Sequence, residues 1–178
     1  MDYLSIIDQY YPSENELRRI LLTHSRQVAD RCLLIARKHP ELKLDTEFLE
    51  EAAMLHDIGI LYVDAPSISC YGTELYICHG LLGAELLRRE GLPAHARVAE
   101  RHTGTGLTQE EILRQSLPLP PRDLVPETLE EKIICYADKF YSKSHLEMEK
   151  TPEQVIRSLQ KFGLTCVDTF RTWMSEFE

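Results

Sequence analysis

The stretch AAMLHDIGIL, residues 52–61, sets an adjacent His56 and Asp57 at the end of an apolar run. Leu49, Ala52, Ala53 and His56 stand at i, i+3, i+4 and i+7, the spacing of one helix face, so His56 points with the alanines into a core. Gly59 is placed to end that helix soon after Asp57. An unsatisfied buried polar group costs roughly 1 to 3 kcal/mol, so a titratable pair at this position needs partners inside the protein.

The same pattern recurs outward along the chain. Leu17, Leu21, His24, Val28 and Ile35 share a stripe that excludes Arg18, Arg19 and Lys38, which turns His24 inward. His79 travels with Leu82, Gly83 and Leu86, His102 with Val98 and Ala99, and Asp138 with Ile134, Ala137 and Tyr141. Apolar i, i+3, i+4 spacing covers 17–36, 48–56, 82–87, 129–141 and 155–174, and no sustained period-two alternation of β-branched residues interrupts it. The fold class predicted is all-α. Ser13 with Glu16, Thr108 with Glu111, Thr128 with Glu131 and Thr151 with Gln154 read as capping boxes, and Pro152 suits a first helical position. The proline-rich LPLPPRDLVP at 117–126 reads as a loop between helices.

Composition bounds the function. A chain of 178 residues with 43% hydrophobic content fills one core, so residues 1–178 are read as one domain. Apolar runs such as CLLIA at 32–36 fall far short of the roughly 20 residues of a membrane helix, and MDYLSIIDQYYPSE carries no basic-then-apolar leader, so a cytoplasmic protein with no membrane partner is expected. Five cysteines without a CxxC pair argue against a disulfide framework or a cysteine zinc site. A formal charge of −9 without a basic run argues against general nucleic-acid binding. A phosphorylated substrate would therefore need positive charge supplied locally.

Six inward polar groups, His24, His56, Asp57, His79, His102 and Asp138, are satisfied together most economically by a shared metal centre, which also keeps the carboxylates ionised. Four imidazoles and two carboxylates suit iron, manganese, nickel, cobalt or zinc better than calcium or magnesium. Six ligands exceed the needs of one catalytic ion with an open position, which points to two divalent ions with Asp57 as the bridge.

The ordered set His24, His56-Asp57 within HDIG, His79 in CHG, His102 in RHTG and Asp138 in YADK resembles the HD-domain metal-dependent phosphohydrolase superfamily. The surroundings LTHSRQVA, CHGLLGAELL, ERHTG and ADKF are similar to small bacterial HD proteins that include symmetrical diadenosine-tetraphosphate hydrolases. The resemblance implies an HD helical bundle with His24, His56, Asp57 and Asp138 around one ion, and His79 and His102 completing a second across the Asp57 bridge. It implies metal-dependent hydrolysis of a phosphate ester or anhydride by a hydroxide made available at the metals, with His56 and Asp57 as catalytic residues and a nucleotide or other small phosphorylated metabolite as substrate. The metal-ligand core spans 24–138, and C-terminal helices within 151–177 pack on it. Where the cyclic-dinucleotide phosphodiesterase branch carries a lysine shortly after the HD pair, this chain has Ile60 and Leu61, and the GYP signature is missing, which sets that branch aside.

Around this set, Arg101 and Lys139, each next to a ligand, are candidate substrate contacts, although helix neighbours diverge by about 100°. His95, seven residues before His102, is a candidate to orient a ligand from behind. His39 and His145 are assigned to helix C-termini, where imidazolium meets the helix dipole. Cys70 and Cys78 read as structural thiols. The segment 62–78 reads as a lid or pocket wall, with Asp64 in a turn. Phe170, Trp173 and Phe177 form a stripe that packs within the chain, a homodimer being its alternative use. Two rival functions share the scaffold: a mixed-valent di-iron oxygenase with the same ligands, and a nucleotide-binding sensor, which the complete ligand set disfavours.

Overall fold

The computed structural model describes residues 1–178. Nine helices carry the chain: α1 (Tyr3–Tyr10), α2 (Glu16–Lys38), α3 (Thr46–Leu55), α4 (His79–Arg89), α5 (Pro93–Arg101), α6 (Gln109–Arg114), α7 (Leu129–Asp138), α8 (Pro152–Leu159) and α9 (Leu164–Phe177). The sole sheet is a two-stranded antiparallel hairpin, β1 (Asp64–Ala65) and β2 (Cys70–Tyr71), with Asp64 opposite Tyr71. The all-α reading holds. The helix α1 has no counterpart among the periodic segments read from the sequence; its start is capped by Asp2, which accepts from Ser5 N at 3.2 Å.

Long α2 packs along α3 and α7, and α4 packs along α5. One continuous apolar core joins them, from Ile7 on α1 to Phe177 on α9. Its C-terminal end is aromatic: the Tyr136 ring lies 5.0 Å from Phe170 and 5.6 Å from Phe177, which fastens α9 to α7. Phe170, Trp173 and Phe177 are all buried, so this stripe packs within the chain. All five cysteines are free and buried.

Several local readings are corrected. Asn15, not Ser13, caps α2, its side chain accepting from Arg18 N at 3.0 Å. Thr108 and Thr151 make complete capping boxes, whereas Glu131 turns past Thr128 to accept from Glu127 N at 2.7 Å. The apolar run 155–174 is two helices, parted at Gly163 with φ +108. His39 does end α2, but His145 sits in the loop beyond α7 beside Ser144.

The largest correction concerns Gly59. Helix α3 ends at Leu55, His56 is its C-cap, and Gly59 lies in the following 3-10 turn, Ile58–Tyr62, without a positive φ. A Cβ there would lie 2.1 Å from His79 O and 2.4 Å from Gly83 N. Gly80 is equally confined, its would-be Cβ 2.5 Å from Ala99 O. These glycines let the HD segment, α4 and α5 touch backbone to backbone. They set the spacing of the residues described next.

Candidate metal centre

All but one of the ligand candidates sit at or near a helix end. His56 follows α3, His79 opens α4, His102 caps α5 and Asp138 closes α7, while His24 lies mid-way along α2. The C-terminal ends of helices leave carbonyls without intrahelical partners, and His56 and His102 use them, while His79 uses a carbonyl of the 3-10 turn that leads into α4. His56 Nδ1 is 2.7 Å from Ala53 O, His79 Nδ1 2.6 Å from Tyr76 O, and His102 Nδ1 2.7 Å from Ala99 O. A carbonyl only accepts, so Nδ1 carries the hydrogen in all three rings, and in each neutral imidazole Nε2 presents a lone pair.

Those lone pairs converge on Asp57, which is fully buried. Its Oδ2 lies 3.2 Å from His24 Nε2 and 3.1 Å from His56 Nε2. Its Oδ1 lies 3.3 Å from His79 Nε2 and 3.4 Å from His102 Nε2. Asp138 Oδ1 stands 2.9 Å from His24 Nε2 and 3.5 Å from His56 Nε2. The buried ligand atoms thus fall into two sets sharing Asp57: His24, His56, Asp57 and Asp138, and Asp57, His79 and His102. The six residues singled out in the sequence are brought together in this arrangement.

A donor set of this kind fits a divalent cation. His79 Nε2 and His102 Nε2 face one another at 3.0 Å, and two lone pairs at that distance repel unless a positive charge lies between or beside them. His56 Nε2 and both Asp57 oxygens are buried without a directed hydrogen bond. Burial opposes a charge on His56, but Asp57 and Asp138 outweigh it and push the imidazole up to about 9. Burial dominates at His102, which falls to about 4 against the pull of Asp57. Despite burial, Lys143, His56 and the other imidazoles hold Asp57 well below the usual carboxylate range, and Lys139 and His24 do the same for Asp138.

Two lysines complete the centre. Lys139 Nζ lies 2.7 Å from Asp138 Oδ2 and 2.8 Å from His102 O. Lys143, overlooked by the sequence reading because it follows the last ligand-bearing helix, brings Nζ to 2.6 Å from Asp57 Oδ2, an ion pair rather than a directed hydrogen bond. Both line a cavity of about 430 Å³ that opens onto His79, His102 and Asp138. The hairpin segment supplies one wall through Ala65, Ser67, Ile68 and Tyr76, as expected of 62–78, with Asp64 exposed on β1 and away from the cavity.

Two expectations change. Arg101 is buried but points from α5 toward the start of α7, with Nη1 2.9 Å from Glu127 Oε1 and 3.5 Å from Glu131 Oε2, and is absent from the cavity wall. The divergence of helix neighbours puts His102 on the site and Arg101 on a structural ion-pair network. His95 pairs with Glu51 at 3.4 Å and meets the Phe48 ring edge-to-face instead of reaching a ligand; main-chain carbonyls orient His56, His79 and His102.

Comparison with known proteins gives three kinds of match. The family model of the HD domain matches residues 21–142. An uncharacterized protein of Methanocaldococcus jannaschii is 35% identical over 148 residues, covering 77% of this chain and 78% of that one. A protein named tRNA (cytidine(56)-2'-O)-methyltransferase from Thermoplasma volcanium is 33% identical over 146 residues, 81% of this chain, and one of the same name from Picrophilus torridus is 32% identical over 145 residues. The chain spans only 37% and 39% of those two relatives. The crystal structure of the HD domain of the L. monocytogenes phosphodiesterase PgpH superposes with a TM-score of 0.55 at 16% identity, over 96% of this chain and 94% of that one, a likeness of fold. No helix is long and apolar enough to cross a membrane.

Proposed function

The chain belongs to the HD domain family, and on that premise we propose that it is a metal-dependent phosphohydrolase acting on a phosphate ester or phosphoanhydride of a nucleotide or other small phosphorylated metabolite. One observation carries the reading: four imidazoles and the Asp138 carboxylate gather with a buried Asp57 in two sets that share it. His24, His56, Asp57 and Asp138 would hold one divalent ion, and His79 and His102, with Asp57 shared, a second. Bound transition-metal ions supply Lewis-acid charge neutralisation and a nucleophile at neutral pH.

The chain's own residues do the rest. Ala53, Tyr76 and Ala99 carbonyls fix the imidazole tautomers so that Nε2 faces the centre. Asp57 and Asp138 stay ionised across the physiological range. Lys139 and Lys143 present ammonium groups at the cavity floor, where they would hold the phosphoryl oxygens and offset charge developing on them. This supplies locally the positive charge that a chain of net −9 lacks overall.

The test is metal content and phosphate release on one anaerobically purified sample, against a panel of nucleotides and small phosphate esters, with His56→Ala and Asp57→Ala as controls. Metal-dependent release in wild type, lost in both variants, is the expected result. Bound iron with oxygen uptake and no phosphate release would replace hydrolysis by the oxygenase reading.

A further inference from the structure

Four of the chain's seven lysines, Lys139, Lys143, Lys150 and Lys161, line the one cavity over the metal-ligand candidates. Two of them have carboxylate partners in the centre itself. The other two do not: no carboxylate lies within 4.0 Å of Lys150 or Lys161. Lys150 is half-buried and its Nζ has only the Lys139 carbonyl, at 3.5 Å. Lys161 is held over the Phe162 ring, 4.9 Å from its centre, at the rim formed by the end of α8 and the turn after it. Both lie beyond residues 21–142, outside the segment that matches the family.

An unpaired ammonium in a half-buried wall is disfavoured until an anion meets it. Burial lowers the Lys150 ammonium, and Lys139, Lys161 and Lys143 add to that against the pull of Asp138. A cavity of about 430 Å³ has room for a ligand larger than a single phosphoryl group. The hydroxyls of Ser142 and Ser144, 3.0 Å apart on the same wall, can turn to donate to anionic oxygens, whereas that of Ser158 already donates to Val155 O.

We propose that Lys150 and Lys161 form a second anion subsite, so that the substrate carries, besides the phosphoryl group placed at the histidine–aspartate centre, a second anionic group, phosphoryl or carboxylate. This rests on the phosphohydrolase reading for what happens at the centre, but the subsite is a binding property and is tested as one. The substrate's two charges are matched by two pairs of lysines: Lys139 and Lys143 at the reacting end, Lys150 and Lys161 at the far end.

The experiment is calorimetric titration of manganese-loaded protein with three non-hydrolysable probes, methylphosphonate, phosphonoacetate and methylenediphosphonate, with metal content measured before and after. A charged hydrogen bond corresponds to about tenfold or more in affinity. Wild type is therefore expected to bind at least one of the two probes that carry a second anionic group at least tenfold tighter than methylphosphonate, and whichever is preferred identifies that group. In K150Q/K161Q that preference falls at least tenfold, with methylphosphonate affinity and metal content unchanged, and K150R/K161R retains it. Equal binding of the three probes by wild type, or a preference that survives in K150Q/K161Q, overturns the subsite. A lysine-dependent preference in a protein that releases no phosphate from any ester leaves the subsite standing and removes hydrolysis; hydrolysis without the preference removes the subsite alone.

Discussion

Asp57 is the residue on which the centre turns, because each of its oxygens faces a different pair of imidazoles. Asp57→Asn keeps the volume and removes the charge that both ions would share. Metal-ion catalysis stands for several kcal/mol of charge stabilisation, so phosphate release is expected to fall roughly a thousandfold, with bound metal falling in parallel by elemental analysis. Retention of full metal content would count against the bridge. The imidazoles give metal-stripped protein a pH signature. His56, raised to about 9, contributes stability that is fully present below its unfolded value near 6.5 and is lost as pH climbs through 9. His102, depressed to about 4, contributes stability present above 6.5 and lost as pH falls toward 4. Denaturant unfolding of stripped protein is therefore expected to show a maximum near pH 6.5, with each flank falling by up to about 3 kcal/mol; a flat profile between 5 and 9 would remove both assignments. Five of the six candidate ligands were legible because helix periodicity aims a residue from its spacing, and Asp57 was legible as the immediate neighbour of His56. Lys143, Lys150 and Lys161 were not, since none has an aim that such a spacing fixes. The available signal was compositional: four of seven lysines fall between 139 and 161.

At the scale of elements, close backbone approach explains what periodicity misread. Gly59 looked like a helix stop, but its missing side chain is what lets the HD segment lie against His79 and Gly83. Gly59→Ala is expected to part α4 from that segment, at about 1 to 3 kcal/mol of stability, and to lower metal content as His79 moves off Asp57 Oδ1. Chemical unfolding and elemental analysis on one sample read both effects; a variant destabilised but fully loaded with metal would show that α4 adjusts without moving His79. Capping gives a second contrast. Ser13 and Glu16 have the spacing of a box, yet Asn15 holds the cap while Arg18 Nη1 reaches back to Tyr11 O at 2.7 Å and ties α1 to α2. Asn15→Ala is expected to cost about 1 kcal/mol and Ser13→Ala close to nothing, the opposite order from the one the sequence suggests. A one-dimensional pattern reveals which face of a helix is apolar, but not where a neighbouring backbone will sit.

Across the whole molecule, the centre is assembled from α2, α3, α4, α5 and α7, so whatever binds there crosslinks most of the fold. Neutral imidazole lone pairs facing Asp57 inside the core oppose folding unless a proton or a metal ion lies among them, and an ion bound only by the folded chain stabilises it by mass action. At a free metal concentration a thousand times the dissociation constant this is about 4 kcal/mol. For a chain of this length each kcal/mol moves the midpoint by roughly 2 to 4 °C, so saturating manganese is expected to raise the Tm of stripped protein by about 8 to 16 °C in calorimetric scans. The aromatic joint between α7 and α9 provides the control. Phe170→Ala removes a buried ring that stacks on Tyr136, at about 3 to 5 kcal/mol, but touches none of the ligands. It should therefore lower the Tm of stripped and loaded protein alike and leave the increment from manganese intact. In Asp57→Asn the increment itself should collapse. If Phe170→Ala also abolished it, the C-terminal helices would be part of what shapes the centre, not only a wall laid over its cavity.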